Sequence, residues 1–168
     1  MKKLLRLIDK ARKSKFYLKL LNVVLSQAVP FNKPHGLLIK EMYDDGFRIL
    51  LPFKRRNLNH IKGIHACALA TLAEFASGLT LMMNLASDEY RLIMKSMSMT
   101  YHYQARTDVV VSIRLSKEWM DSTIFSNLKN ADSVLAEVKA DVYDVQQNLV
   151  CTGIINWQVK KWQSVKTK

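Results

Sequence analysis

A single carboxylate, Glu74, lies in the middle of a long apolar segment that runs from residue 65 to residue 85. It is the only formally charged residue between Lys62 and Asp88. An ionised carboxylate in such surroundings is costly unless it is paired or lines a cavity. Two interpretations stay open: a glutamate held by a lysine, a backbone amide or a partner chain, or a carboxylate that does chemistry.

His65 marks the predicted start of a helix that carries Glu74, and Asn59 precedes it in a polar loop. The first amides of a helix have no acceptor inside it, and the helix dipole is positive at this end. The amides of Ala66 and Cys67 are therefore candidate donors for a carbonyl oxygen that gains negative charge. A carboxylate nearby could attack that carbonyl or take a proton from water.

Helical geometry separates the carboxylate from the helix start. At about 1.5 Å and about 100° per residue, Glu74 lies about 13 Å along the axis from His65 and on roughly the opposite side. One chain is therefore not expected to bring both groups to one atom. Antiparallel helices in a two-fold dimer would place the carboxylate of one chain against the helix start of the other. We therefore predict a homodimer, or a dimer of dimers, with shared sites.

The segment over residues 65–85 is apolar on nearly every face, so it predicts a buried helix. Before it, residues 2–28 predict one basic amphipathic helix, ended by Pro30 and Pro34. Strands are predicted over 36–43, 46–53, 91–104, 108–116, 133–145 and 149–160, with a loop around Ser122–Ala131. An antiparallel sheet that curls around the apolar helix gives an α+β fold. The predicted divisions are a basic helix over 1–28, the folded domain over 29–162 and a basic tail over 163–168.

Composition limits the classes of function. The chain has 168 residues, 49% of them hydrophobic, and a formal net charge of +12. Residues 1–19 carry +7 and residues 160–168 carry +4, so the middle of the chain is almost neutral. A nucleic-acid partner is therefore not expected. The basic helix could dock on the domain, lie on an anionic membrane surface or act as a targeting segment. Two cysteines, too few to staple a fold, suit a cytoplasmic protein, with peripheral membrane association as the alternative.

The run NHIKGIHACAL over residues 59–69, followed by Leu72-Ala73-Glu74, resembles the signature of hotdog-fold acyl-CoA thioesterases. The shared features are the asparagine, the histidine at the helix start and the acidic residue nine positions beyond it. Within that superfamily the chain is most similar to a thioesterase-like branch of unknown function. That branch tends to show Pro-Phe-Asn before the first strand, here residues 30–32. The resemblance covers about residues 29–160 and implies a hotdog fold: an antiparallel sheet wrapped around a long central helix, here with an extra N-terminal helix.

The resemblance also implies a role for each matching residue. Glu74 would be the nucleophile or the general base, and the amide of Ala66 or Cys67 would polarise the thioester carbonyl. Asn59 would orient water or the carboxylate, and His65 would fix the geometry of the helix start. Relatives commonly have two glycines after the histidine, and the side chains of Ala66 and Cys67 would narrow the site. Relatives also use a hydroxyl on the strand after the helix, for which the candidates are Ser96, Ser98 and Thr100.

A cationic run, Lys54-Arg55-Arg56, lies just before the motif. It is either a solvated loop or a binding site for the phosphates of coenzyme A. Coenzyme A would enter only as part of an acyl-CoA substrate, and neither a separate cofactor nor a metal site is expected. The predicted activity is hydrolysis of a fatty or aryl acyl-CoA. The alternative is a non-catalytic protein of the same fold that binds acyl chains or lipid.

Overall fold

The computed structural model describes residues 2–85 and 89–165 of the chain. Six antiparallel strands form one sheet in the order β1-β2-β4-β5-β6-β3. They are β1 (Leu38–Met42), β2 (Gly46–Leu51), β3 (Tyr90–Tyr101), β4 (Val109–Arg114), β5 (Ser133–Asp144) and β6 (Leu149–Lys161). Each strand coincides with a predicted run to within three residues at either end.

Three α-helices of twelve or more residues accompany the sheet in the described part of the chain: α1 (Lys2–Lys13), α2 (Lys15–Ala28) and α3 (Ala66–Asn84). Helix α3 contacts every strand from β2 to β6, so the sheet curls around it. Leu72, Ala73 and Ala76 of α3 are fully buried. The α+β architecture predicted from the sequence is therefore confirmed, with α3 as the core helix.

Helix α3 is also the one described helix that is long and apolar enough to cross a bilayer. Core helices that are enclosed by a sheet have the same length and composition. In this chain the sheet curls around α3, and more than half of the helix is buried.

The N-terminal segment forms two helices where the sequence predicts one. At Ser14 the backbone is extended, with φ −150° and ψ 124°, and α2 begins at the next residue. The break allows both helices to contribute to the core, because Ile8 and Ala11 of α1 and Leu21 of α2 are all buried. The prediction of one continuous helix over residues 2–28 is wrong at this point, because packing against the domain overrides the local periodicity.

The loop predicted around Ser122–Ala131 is helical as far as Leu128. Short α-helical segments, Lys117–Met120 and Ser126–Leu128, flank a π-helical turn over Asp121–Phe125. Ser116 caps the first segment by accepting a 3.2 Å hydrogen bond from the amide of Trp119. The buried residues of this stretch are Met120, Ile124 and Leu128. Their spacing of four residues is typical of one helix face, and it could have predicted a helix here instead of a loop.

The turn between β5 and β6 is built on Asp144, which is only 2% exposed. Its Oδ1 accepts hydrogen bonds from the amides of Gln146 and Asn148, both at 2.9 Å. Its Oδ2 accepts a third, also at 2.9 Å, from Nδ2 of Asn148. These donors stabilise the ionised carboxylate and lower the pKa of Asp144.

The C-terminal end of the chain is predicted to be a basic tail. A turn of 3₁₀ helix, Trp162–Ser164, follows β6. Of the basic tail predicted over 163–168, residues 166–168 lie outside the described part, as does Met1. The proposed division of the chain at residues 28 and 162 stays a prediction.

Candidate active site

The loop that leads into α3 is anchored by a buried asparagine, Asn57, which is 0% exposed. Its Nδ2 donates hydrogen bonds to the carbonyls of His35 at 2.9 Å and Pro52 at 2.8 Å. Its own carbonyl accepts the amide of His65 at 2.8 Å, and its Oδ1 lies 3.0 Å from Nδ1 of His35. Asn57 therefore fixes where α3 begins. The role of Asn57 could not be predicted from the sequence, because nothing local distinguishes Asn57 from Asn59.

Asn59 closes the next tight turn. Its Oδ1 accepts hydrogen bonds from the amides of Ile61 at 3.1 Å and Gly63 at 3.0 Å, and its amide donates to the carbonyl of Gly63. Lys62, within this turn, has a positive φ of 61°. Nδ2 of Asn59 has no acceptor among the described residues, so it remains available to donate a hydrogen bond to a bound molecule.

His65 caps α3 with its own ring. Its backbone is extended, and its Nδ1 accepts a 3.0 Å hydrogen bond from the amide of Cys67. The ring must therefore carry its proton on Nε2 when it is neutral. The amide of Cys67 is occupied by this bond, whereas the amide of Ala66 has no acceptor within residues 2–85 and 89–165. Of the two predicted oxyanion donors, Ala66 is the one left free.

A depression of about 370 Å³ opens beside this helix start, and we call it the helix-start pocket. Its lining includes Asn59, Ala66 and Tyr101. The Tyr101 hydroxyl donates to the carbonyl of Ala66 at 3.2 Å, and burial raises the pKa of that hydroxyl, with a smaller contribution from the cysteines. Tyr101 is absent from the predicted site. The alternation of β3 could have indicated it, because Tyr101 shares the helix-facing side with Met97 and Met99, which pack on the core.

Glu74 lies in a different and larger depression of about 660 Å³, the Glu74 cleft. Its walls are mostly apolar and include Phe75, Met82 and Trp157. The N-terminal helices supply part of one wall, through Leu4 of α1 and Leu25 of α2. The cleft therefore combines a single carboxylate with a surface suited to an acyl chain.

The Glu74 carboxylate is half-buried and makes no hydrogen bond or ion pair with any side chain that the structure describes. Burial disfavours the charged form and raises its pKa above the ordinary glutamate range. Within one chain Glu74 does not line the helix-start pocket, which contains Asn59 and Ala66. The helical spacing predicts this separation.

One buried polar atom faces the same region without a partner. Asn32 is 6% exposed and lines the Glu74 cleft, and its Nδ2 is the one buried side-chain nitrogen or oxygen of the described part that lacks a hydrogen bond. It also borders a void of about 20 Å³, which is room for one water molecule. An unsatisfied buried donor costs about 1–3 kcal/mol, so this amide favours a bound acceptor.

The remaining predicted residues lie away from Glu74. Lys54 precedes a 3₁₀ turn, Arg55–Asn57, in which both arginines are exposed. Ser96, Ser98 and Thr100 are exposed on the side of β3 that faces away from the core. Within residues 2–85 and 89–165, no three His, Cys, Asp or Glu side chains cluster in a way that could hold a metal ion.

The chain is similar to one protein family and to several solved structures. Residues 18–159 match the model of the family described as Domain of unknown function (DUF4442). No curated protein matches the chain. A protein of unknown function and probable thioesterase from Pseudomonas aeruginosa has a similar structure, with a TM-score of 0.78 and 22% identity, covering 85% of this chain and 95% of the other.

Other solved structures with the same fold are thioesterases by name. One from Haemophilus influenzae has a TM-score of 0.68 and 14% identity, covering 89% of this chain and 94% of that one. One from Staphylococcus aureus has a TM-score of 0.62 and 11% identity, covering 79% and 99%. The Staphylococcus protein was solved as a glutamine-to-alanine mutant and as a glutamate-to-alanine mutant, at positions fifteen residues apart. With a family match over most of its length and a hotdog fold like these thioesterases, the chain belongs to the family Domain of unknown function (DUF4442).

Proposed function

We propose that this protein hydrolyses acyl-CoA thioesters, with Glu74 as the reacting carboxylate. The observation that carries the proposal is the unpaired Glu74 side chain, with a pKa raised by burial, at an apolar cleft of about 660 Å³. A raised pKa makes a carboxylate a better proton acceptor, which suits a general base. The fifteen-residue spacing between Asn59 and Glu74 equals the spacing of the two positions mutated in the Staphylococcus thioesterase, and this supports the assignment.

The proposed reaction needs few groups. Glu74 removes a proton from water, and the water oxygen attacks the thioester carbon. Negative charge then collects on the carbonyl oxygen, where the free amide of Ala66 donates a hydrogen bond. When the carbon–sulfur bond breaks, the thiolate of coenzyme A leaves and takes the proton from Glu74. Direct attack by Glu74, giving a mixed anhydride that water then hydrolyses, is the other course open to this carboxylate.

Two copies of the chain would complete each site. Helix α3 places the two depressions apart, so the Glu74 cleft of one copy has to meet the helix-start pocket of the other. The end position of β3 supports pairing, because this twelve-residue strand bonds to β6 on one side only among the described strands. A long unpaired edge is a template for a second strand, and a two-fold axis would join two β3 edges.

The test is turnover of a panel of acyl-CoAs, from acetyl to palmitoyl and benzoyl, measured by release of free thiol. Glu74→Gln keeps the shape of the side chain and removes the base, so we expect the rate to fall about 100-fold or more. Glu137→Gln is the matched control, because Glu137 is an exposed glutamate on β5. Full activity of Glu74→Gln would remove this carboxylate from the mechanism.

The cationic run gives a second, separable arm of the test. If Arg55 and Arg56 bind the phosphates of coenzyme A, the double change to alanine raises KM for acyl-CoA. It should leave unchanged the KM for the same acyl group on N-acetylcysteamine, which lacks the phosphates. An equal effect on both substrates would show that these arginines have a structural role and do not bind the phosphates.

A non-catalytic acyl-binding protein is the second candidate. It is favoured by the Cys67 amide, which bonds to His65 and leaves Ala66 as a single free helix-start donor. In that case the wild-type protein binds a fluorescent fatty acid or an acyl-CoA and shows no turnover with any member of the panel. Binding should then be weakened by blocking the apolar cleft, for example with Leu25→Trp.

A further inference from the structure

Helix α2 exposes a row of apolar side chains on the side that faces away from the core. Phe16 is 70% exposed and Val23 is 58% exposed, with Leu20 between them at 40%. These positions follow the i, i+4, i+7 spacing of one helix face. Phe31, in the turn that follows α2, is 70% exposed as well. We call these four residues the α2 outer face.

Helix α2 packs firmly on the core through the side opposite to the α2 outer face. Leu21 and Leu25 lie on the opposite side of α2 and are buried. Asn22 fastens the helix to β1, because its Nδ2 donates to the carbonyl of Ile39 and its Oδ1 accepts the Ile39 amide at 2.7 Å. The helix is therefore held in one orientation, and that orientation presents Phe16, Leu20 and Val23 to solvent.

Positive charge surrounds this apolar row. Residues 1–40 contain ten lysines and arginines and one acid, Asp9, so they hold +9 of the net +12. Lys15 and Lys19 are exposed on α2 itself, and Lys33 is exposed just beyond Phe31. Apolar side chains framed by exposed cations are the arrangement of helices that lie in the interface of an anionic bilayer.

We propose that the α2 outer face docks the protein on anionic lipid bilayers, with Phe16, Leu20, Val23 and Phe31 inserted among the lipids and the neighbouring lysines on the headgroups. The charge selects this occupant over a second copy of the chain. Two such faces brought together would each bear the same cluster of cations, and like charges repel. An anionic surface is attracted instead, by about 1 kcal/mol for each basic residue near it. The proposal does not depend on the thioesterase reaction.

The experiment is co-sedimentation of the full chain with vesicles of phosphatidylcholine alone or of phosphatidylcholine mixed with phosphatidylserine. We expect binding to the mixed vesicles only. The double substitution Phe16→Ser/Val23→Ser should weaken that binding about tenfold or more, because it removes two apolar side chains that would enter the bilayer. The matched control is Leu135→Ser/Val145→Ser, which removes two apolar residues of similar exposure, 56% and 61%, from elsewhere on the surface. This control should bind as the wild type does.

Three results would overturn the proposal. The first is a wild-type protein that does not sediment with anionic vesicles. The second is a Phe16→Ser/Val23→Ser variant that binds as tightly as the wild type while Lys15→Glu/Lys19→Glu abolishes binding, since the attraction would then be charge alone. The third is a change of oligomeric state in the serine variant, seen by light scattering without vesicles, because a second copy would then be the occupant of this face.

Discussion

Replacing Gly78 with alanine tests how closely α3 packs on the sheet at the wall of the Glu74 cleft. A Cβ added at Gly78 would lie 2.7 Å from Cη2 and 2.8 Å from Cζ2 of Trp157. Carbon atoms in contact normally stay about 3.5–4.0 Å apart, so the indole ring has to move by about 1 Å. The ring is not free to move, because its Nε1 donates a 3.0 Å hydrogen bond to the buried Oγ of Ser77.

The cost of this substitution follows from three contributions. Overpacking costs about 1–3 kcal/mol, and a buried indole N–H that loses its acceptor costs about 1–3 kcal/mol more. Alanine returns about 1 kcal/mol, because it is a better helix former than glycine. We therefore expect Gly78→Ala to lower the free energy of unfolding by about 1–5 kcal/mol.

A double-mutant cycle in urea, followed by far-ultraviolet circular dichroism, isolates the contact. Phenylalanine lacks the two indole atoms that the new methyl group meets. In a Trp157→Phe background, Gly78→Ala should therefore be neutral or stabilising, and the two substitutions should couple by more than about 1 kcal/mol. An equal effect of Gly78→Ala in both backgrounds would refute the packing argument, as would a stabilised single mutant.

Two further predictions concern ionisation. Because burial raises the pKa of Glu74, the folded protein holds this proton more tightly than the unfolded chain. The free energy of unfolding should then fall as pH rises from the ordinary glutamate pKa through the raised pKa of Glu74. Glu74→Gln should therefore be more stable than the wild type at neutral pH, but not at pH values below the ordinary glutamate range. Denaturation at a series of pH values measures this difference, and a destabilised Glu74→Gln at neutral pH would reveal a partner for the carboxylate. Burial also raises the pKa of the Cys151 thiol to about 12, whereas Cys67 is exposed. Iodoacetamide should alkylate Cys67 in the native protein and Cys151 only after unfolding, as read by mass spectrometry of peptides, and labelling of native Cys151 would contradict its burial.

Much of the architecture could be predicted because its signals are local. The apolar segment around Glu74 and the alternating runs predict α3 and all six strands. The prediction of a single N-terminal helix was wrong because tertiary contacts determine the break at Ser14. The break places both N-terminal helices on the core, and no Gly or Pro near it indicates a helix end. Ser14 is a common helix-capping residue, yet its side chain makes no capping hydrogen bond here.

The functional roles of Asn59, His65 and Glu74 stay predictions, but their relative placement could be read from the sequence. The helical rise predicts that Glu74 is distant from the other two, and the structure places it in a different depression. The sequence could not show that the His65 ring occupies the Cys67 amide, because that depends on a side-chain rotamer. The alternation of β3 places Tyr101 on the helix-facing side, but its contact with Ala66 could not be predicted, because it joins residues 35 positions apart.

The tightly bonded turn at Asp144 bears on how the chain reaches its fold. Closing a loop costs entropy that grows with its length, and this turn spans only a few residues. The amides of Gln146 and Asn148 and the Asn148 side chain all donate to the one carboxylate of Asp144. The β5–β6 hairpin can therefore form from contacts that are near in sequence, before the distant pairing of β3 with β6 is made. Its two long strands would then offer a ready-made edge on each side, β5 for β4 and β6 for β3. On this view the last third of the chain organises first, and helix α3 with Glu74 is enclosed afterwards.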